Sequence, residues 1–175
     1  MSLFKTLQSS PATVTIFHNT KIPLSNKLYD ILNKTYESLP KKPKYDFQID
    51  LMKNRMPTFD QYEIFVRKFL KSEQDKKILH NCFPFLNEKQ TILINDQGKH
   101  CKINGSDWSN KIFSEFEYQL IYETFNALEN NFEKDKLLPS QPSDIFKAPL
   151  VVDWDQDMLA GDVQTLNELL AKYTN

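Results

Sequence analysis

Residues 148–162 read APLVVDWDQDMLAGD, and this stretch decides the fold. The continuous apolar, β-branched run 150–152 is typical of a strand buried on both faces. A polar turn at 155–157 leads to a short second strand at 158–160, which a glycine ends. Asp162 has the residue type and the position of a helix N-cap. The helix after it is predicted to bury one face, formed by Val163, Leu166, Leu169, Leu170 and Tyr173.

The N-terminal third predicts a strand, a helix and a second strand. An apolar strand at 13–17 is followed by a loop at 18–24, and Ser25 is predicted to cap the helix. Apolar and polar residues alternate at 45–51, which is typical of a half-buried strand. The three elements suggest a right-handed parallel βαβ unit. Joined to the C-terminal unit, they predict an α/β fold with a four-stranded mixed sheet flanked by helices.

A second helix begins near residue 58. Thr58 and Gln61 are spaced as a capping box. The apolar face of the helix is then Tyr62, Phe65, Val66, Phe69 and Leu70.

Residues 72–146 are predicted to be a helical insertion before the C-terminal β-hairpin. Residues 91–95 and 99–104 are two candidate strands that flank a polar turn at 96–98, which indicates a β-hairpin inside this insertion. Ser109 is predicted to cap a long helix, with an apolar face of Phe113, Phe116, Leu120, Ile121, Leu128 and Phe132. The chain, residues 1–175, is predicted to form a single domain.

Composition excludes several classes of function. The formal net charge is -1, so no overall field favours nucleic acid. No apolar run approaches the length of a membrane span. The three glycines form no phosphate-cradling motif, and no cofactor is predicted. The two cysteines, with no Cys-x-x-Cys, suit a reducing compartment. The His80–Cys82 and His100–Cys101 pairs lack zinc-ligand spacing, so no metal is predicted.

The two cysteines differ in their neighbours. Cys101 is flanked by His100 and Lys102, and nearby positive charge lowers a thiol pKa. Cys82 is followed by Phe83 and lies in an apolar context, which indicates a buried and unreactive thiol. Cys101 is therefore the candidate catalytic residue. An unreactive Cys101 in a loop or strand is the structural alternative.

His18 and Asn19 end the first strand, and ligands of open α/β sheets bind at this carboxyl edge. We expect them to contribute to binding, or to serve as turn and capping residues. Asp153 and Trp154 likewise end a strand. They either orient a cysteine or substrate, or hold a neighbouring loop and the core.

Three separated segments resemble a fungal family of mitochondrial redox proteins with a thioredoxin fold: residues 1–8 (MSLFKTLQ), 55–61 (RMPTFDQ) and 151–155 (VVDWD) with AG at 160–161. The resemblance implies a thioredoxin-like fold and a mitochondrial location. It also implies a single active cysteine in the insertion, and the context CKINGSDWSN starting at Cys101 is similar to the family's. In thioredoxin-like domains the proline before the third strand, here Pro149, is usually cis and faces the active site.

A more distant resemblance is to the arsenate reductase-like branch of this fold. It rests on residues 14–19 (VTIFHN), 56–61 (MPTFDQ) and 148–152 (APLVV). That branch has a cysteine where this chain has Ile22, and an arginine directly before the proline, where this chain has Ala148. Lys147 stands one place earlier. The expected binding residues are His18, Asn19, Lys147 and Pro149.

These observations predict a mitochondrial thiol oxidoreductase with one active cysteine that reduces small toxic molecules. Its partners would be a small-molecule or thiol substrate and glutathione, which would release the substrate from Cys101. The alternative is a non-catalytic thioredoxin-like module that binds a mitochondrial protein. The acid-poor start of the chain, whose first acidic residue is Asp30, is faintly similar to a presequence but lacks arginine.

Overall fold

The computed structural model of the chain describes residues 10–87, 90–94, 100–104, 112–130 and 141–174. It forms two compact units, one of Met1–Lys53 with Pro149–Asn175 and the other of Asn54–Ala148. The prediction of one domain over 1–175 stays a prediction. Within the described ranges, none of the helices combines the length and apolar character needed to cross a membrane.

The first unit contains the predicted sheet. Its strands are β1 (Ala12–His18), β2 (Phe47–Lys53), β5 (Leu150–Asp153) and β6 (Met158–Ala160), in the order β2-β1-β5-β6. β1 pairs parallel with β2 and antiparallel with β5, and β5 pairs antiparallel with β6. The prediction of an α/β, thioredoxin-like fold with a C-terminal hairpin is confirmed.

Two helices cover this sheet, α1 (Pro23–Glu37) and α6 (Val163–Thr174). Their apolar faces and the strands form one core of Ala12, Val14, Ile16, Leu28, Leu32, Phe47, Val151, Ala160, Leu166, Leu169, Leu170 and Tyr173. Burial of such side chains is the main source of stability, at roughly 25 cal/mol per Å² of apolar surface. The core includes Ala12, Val14 and Ile16, so it runs along β1 and holds this strand in place.

The predicted cap of α6 is confirmed, and that of α1 is wrong. Asp162 Oδ1 accepts a 2.8 Å hydrogen bond from the Thr165 N–H. α1 instead begins at Pro23, with Ile22 in the N-cap position. The fixed φ of proline suits the first helical residue, so the helix starts two residues before Ser25.

The predicted half-buried alternation in β2 is only partly present. Phe47 is fully buried and Ile49 partly buried, but Leu51 is 40% exposed. Tyr45 precedes the strand and is exposed. β2 is an edge strand of the sheet, and the pattern is lost towards its end.

The second unit contains α2 (Phe59–Ile64), a π-helix (Phe65–Phe69), α3 (Glu73–Asn81), a 3₁₀ turn (Pro84–Asn87), the hairpin β3 (Gln90–Ile94) and β4 (His100–Asn104), α4 (Glu115–Asn130) and α5 (Pro142–Ile145). The capping box of Thr58 and Gln61 is confirmed. The predicted hairpin is confirmed as well, and its antiparallel register places Leu93 opposite Cys101.

The predicted start of α4 is wrong, and its predicted apolar face is confirmed except at Phe116. The helix begins at Glu115, where Ser114 accepts from the Glu117 N–H and the Glu117 side chain accepts from the Ser114 N–H. Ser109, the predicted cap, lies outside the described residues. Of the predicted apolar face, Phe116 is 81% exposed, Phe132 lies outside the described residues, and the other members are buried: Phe113, Leu120, Ile121 and Leu128.

Candidate functional site

The turn after β1 is held by one buried hydroxyl. Ser25, in the first turn of α1, is fully buried, and its Oγ lies 2.6 Å from His18 Nδ1. The same oxygen accepts a 3.0 Å hydrogen bond from the Asn19 N–H. Either the hydroxyl donates to a bare Nδ1, or a protonated Nδ1 donates to the hydroxyl; both arrangements fix the imidazole ring. Ser25 therefore joins His18 and Asn19 to α1.

The imidazole of His18 lies in an apolar and cationic setting. Its side chain is buried, and its ring lies 5.0 Å from that of Tyr29. Burial, and secondarily the positive charge of Lys53, lower the pKa of His18 below its ordinary value of 6.5. The neutral ring predominates at pH 7. It can hold a hydrogen bond at this edge without adding a charge.

Asn19 organises the rest of the turn. Its Oδ1 accepts a 2.9 Å hydrogen bond from the Lys21 N–H, and its carbonyl oxygen accepts from the Ile22 N–H at 3.1 Å. The Asn26 side chain donates to the Thr20 carbonyl at 2.8 Å. Side-chain bonds of this kind are how asparagine shapes turns. The turn role anticipated for His18 and Asn19 is thus present, and their role in binding stays a prediction.

Pro149 and Lys147 belong to different compact units. Pro149 is buried and directly precedes β5 in the first unit. Lys147 is exposed in the second unit, and its N–H donates to the Cys82 carbonyl at 2.8 Å. That bond uses the backbone of Lys147. The roles predicted for both residues in binding remain predictions.

The two cysteines are both in the second unit. Cys82 is fully buried at the end of α3, and its Sγ donates to the Ile78 carbonyl at 3.4 Å. Burial raises the pKa of the Cys82 thiol to about 12. The prediction that Cys82 is buried with a disfavoured thiolate is confirmed. Cys101 lies in β4, and its catalytic role stays a prediction.

Asp153 is the centre of a buried polar network. Its carboxylate accepts from the N–H groups of Asp155 and Gln156 at 3.0 and 3.1 Å. It also accepts from the Gln156 side chain and the Tyr173 hydroxyl, both at 2.6 Å. Burial, and then the bond to Asp153, raise the pKa of Tyr173. With four donors, the buried carboxylate is satisfied, so Asp153 joins the hairpin turn to α6.

Trp154 extends the network across the sheet. Its indole Nε1 donates to Thr15 Oγ1 at 2.9 Å, and the Thr15 hydroxyl donates to the Asp50 carboxylate at 3.0 Å. The bonds cross from the turn after β5 to β1 and on to β2. Of the two roles considered for Asp153 and Trp154, these contacts are those of a structural role.

Three structural roles were missed by sequence reasoning: that of Ser25 in the β1 turn, and those of Gln156 and Tyr173 around Asp153. The sequence pattern predicts a helix cap at Ser25 and does not indicate its contact with His18. The sequence pattern places Tyr173 on the apolar face of α6. It does not indicate the bond from the Tyr173 hydroxyl to Asp153, which is 20 residues away in sequence. Among the described residues, no three His, Cys, Asp or Glu side chains gather as metal ligands.

Comparison with known proteins gives a family and no individual relative. No curated protein and no solved structure matches the chain significantly. The model of one family matches residues 4–162, which include both cysteines, the β1 turn and Asp153 but not Tyr173. The chain therefore belongs to the family described as "Protein of unknown function (DUF1687)".

Proposed function

We propose that the protein is a mitochondrial thiol oxidoreductase that acts on a small disulfide or electrophile through Cys101. The observation that carries the proposal is the strand order β2-β1-β5-β6, the order of thioredoxin-like domains. The fold alone does not establish activity, because one fold carries many functions. The resemblance to mitochondrial redox proteins supplies the class of chemistry.

The burial of Cys82 supports the choice of thiol. With a pKa of about 12, Cys82 has a thiolate fraction of roughly 10⁻⁵ at pH 7. The sequence contains one other cysteine, Cys101. Its neighbours His100 and Lys102, with Lys99 nearby, are of the type that favours a thiolate.

The proposed reaction is thiol–disulfide exchange. The Cys101 thiolate attacks one sulfur of a small disulfide, the S–S bond breaks, and the leaving thiolate takes a proton from water. A glutathione thiolate then attacks the substrate sulfur of the mixed disulfide. This step releases the Cys101 thiolate and a glutathione–substrate disulfide. No second protein cysteine is needed, which fits a chain without a Cys-x-x-Cys.

Alkylation and turnover test the assignment together. The wild type, Cys82→Ala and Cys101→Ser are treated with iodoacetamide at pH 7, and labelled peptides are measured by mass spectrometry. Reduction of 2-hydroxyethyl disulfide by glutathione is followed in the same samples. We expect label on Cys101 alone and loss of turnover in Cys101→Ser. Faster labelling of Cys82, or full turnover in Cys101→Ser with its fold intact, would contradict the proposal.

A non-catalytic module that binds a mitochondrial protein is the second candidate, and Ile22 favours it. The arsenate reductase-like branch has a cysteine at the position of Ile22, which here is the N-cap of α1. A thiol at a helix N-terminus would have a lowered pKa, and this chain has none there. A Cys101 thiol that titrates near the free value of about 8.5, without turnover, would select the binding module.

The mitochondrial location is proposed from the family resemblance and from the acid-poor start before Asp30. Fluorescence microscopy of the full chain with a C-terminal fluorescent protein, beside a mitochondrial marker, tests it. A diffuse signal outside mitochondria would contradict it.

A further inference from the structure

The second unit contains a cavity of about 630 Å³ that no part of the proposed redox chemistry uses. Its lining comes from α2, the π-helix, α3, the 3₁₀ turn and the residues just before α4. The volume lies within the range of roughly 300–1,000 Å³ for small-molecule sites. All of its lining belongs to one compact unit, so its shape is set by the packing of that unit.

The buried part of the cavity is aromatic. Tyr62, Phe83 and Phe113 are each at most 5% exposed, and all three line it. The Tyr62 and Phe113 rings are 5.7 Å apart, and those of Phe83 and Phe113 are 5.3 Å apart in an edge-to-face arrangement. The Phe113 N–H also donates to the Tyr62 hydroxyl at 3.1 Å. Mutual ring packing and this bond give the cavity rigid, flat walls.

The exposed part of the cavity is polar and carries cations. Four side chains of α3 line this part of the cavity: Glu73, Lys76, Lys77 and His80. Successive members are three, one and three residues apart, so they share one helical face. Lys76 is paired with Glu73 at 3.1 Å. Among the residues that the structure describes, Lys77 has no ion-pair partner. A ligand with one negative charge would complement the Lys77 ammonium.

The π-helix is a second, independent sign of a site. It covers Phe65–Phe69, and its Val66 lines the cavity. The flanking Phe65 and Phe69 are fully buried and pack edge-to-face, with ring centroids 5.4 Å apart. π-helical turns within helices are rare and occur frequently at functional sites.

We propose that this cavity binds an aromatic monocarboxylate, with its ring against Tyr62, Phe83 and Phe113 and its carboxylate near Lys77. Stacking on the aromatic walls selects a flat apolar body. The lysine selects a negative charge at the exposed end. The cavity needs neither cysteine for this binding, so the proposal stands or falls independently of the redox proposal.

Isothermal titration calorimetry with 2-naphthoate tests the proposal, with neutral 2-naphthamide as the charge control. We expect 2-naphthoate to bind the wild type more tightly than 2-naphthamide. Lys77→Met should weaken 2-naphthoate binding about two- to fivefold, the range of an exposed ion pair, and leave 2-naphthamide unaffected. The matched control is Lys68→Met, an exposed lysine in the π-helix that does not line the cavity.

Val66→Trp places the larger side chain in the cavity and should abolish binding of both compounds. Circular dichroism and the thermal midpoint show whether each variant keeps its fold, and a two-dimensional amide spectrum of the wild type shows which residues shift on binding. The proposal is overturned if the wild type binds no 2-naphthoate at millimolar concentration, or if both compounds bind equally. It is also overturned if Lys68→Met weakens binding as much as Lys77→Met, or if the shifted amides lie in the first unit.

Discussion

The Tyr173 hydroxyl donates a 2.6 Å hydrogen bond to Asp153 Oδ2, and this bond connects the last turn of α6 to the end of β5. Asp153 is fully buried, so its carboxylate depends on protein donors in place of water. Hydrogen bonds to charged groups contribute more than neutral ones, at about 1.5–3 kcal/mol. The bond is thus a stabilising contact of the first unit.

Tyr173→Phe should lower the free energy of unfolding by about 1.5–3 kcal/mol, because the substitution removes one donor from a buried carboxylate. Urea denaturation followed by circular dichroism measures the change. The matched control is Tyr36→Phe, since Tyr36 is 48% exposed and its change should stay within about 0.5 kcal/mol. Equal effects of the two substitutions would show that the bond to Asp153 contributes nothing.

The cap of α6 predicts an acid-dependent loss of stability. Hydrogen bonds from the Thr165 backbone and then from its hydroxyl lower the pKa of Asp162 below its ordinary value of 3.8. A lowered carboxylate pKa means that the stabilisation is present above about pH 3.8 and is lost as the pH falls through the folded-state value. Asp162→Ala should cost about 1 kcal/mol at pH 7.

Asp162→Asn separates capping from titration, because asparagine caps about as well and carries no charge. The stability difference between the wild type and Asp162→Ala should shrink below pH 3.8. The difference between Asp162→Asn and Asp162→Ala should stay constant over the same range. Denaturant midpoints measured from pH 2 to pH 7 give both stability differences. If the difference between the wild type and Asp162→Ala stays constant over this range, the pKa of Asp162 is not lowered.

His18 predicts a second, separate pH dependence. Its pKa is lowered in the folded state, chiefly by burial, so the unfolded chain binds this proton more readily. The protein should lose stability as the pH falls below about 6.5, with a slope of at most about 1.4 kcal/mol per pH unit from this group. His18→Gln should remove this slope between pH 6.5 and 5, and the control His80→Gln should keep it. A wild-type slope that survives in His18→Gln would have to come from another group.

The phase of α4 gives a pair of opposite expectations. Leu120→Ala should destabilise the protein by about 2–5 kcal/mol, because Leu120 is buried. Phe116→Ala should change the free energy of unfolding by less than about 0.5 kcal/mol, because Phe116 is 81% exposed. Thermal unfolding of both variants under one condition makes the comparison. A larger cost for Phe116→Ala would mean that its ring packs in solution.

Sequence patterns predicted the parts of the fold that depend on interactions between residues close together in the chain. The Thr58–Gln61 capping box and the Asp162 cap depend on side chains three residues apart, so the sequence contains the whole interaction. The run before Asp153 indicated a central strand because both of its faces are buried. The cap prediction at Ser25 is wrong because Pro23 starts α1 earlier, and the burial prediction at Phe116 is wrong because burial depends on how α4 packs.

In the candidate sites too, the sequence predicted features set by neighbouring residues and missed features set by packing. The strand pattern predicted that His18 lies at the carboxyl end of β1. It did not predict the contact between His18 and the buried Ser25. The cavity brings Tyr62 beside Phe113, 51 residues away. No pattern within one element can predict such a contact, because it depends on how several helices pack.

The π-helix changes how this part of the chain tolerates a change in length. Its bonds span one residue more than those of an α-helix, so Phe65–Phe69 holds an additional residue between α2 and the start of α3. Deleting the exposed Arg67 would allow ordinary α-helical periodicity through the segment. Because the π-turn already accommodates this additional residue, the residues that follow would keep nearly the same helical face, whereas the same deletion in a regular α-helix would rotate them by about 100°. Deletion of Arg67 should therefore disturb the packing of Phe69 less than a deletion within a regular α-helix would disturb the residues that follow it.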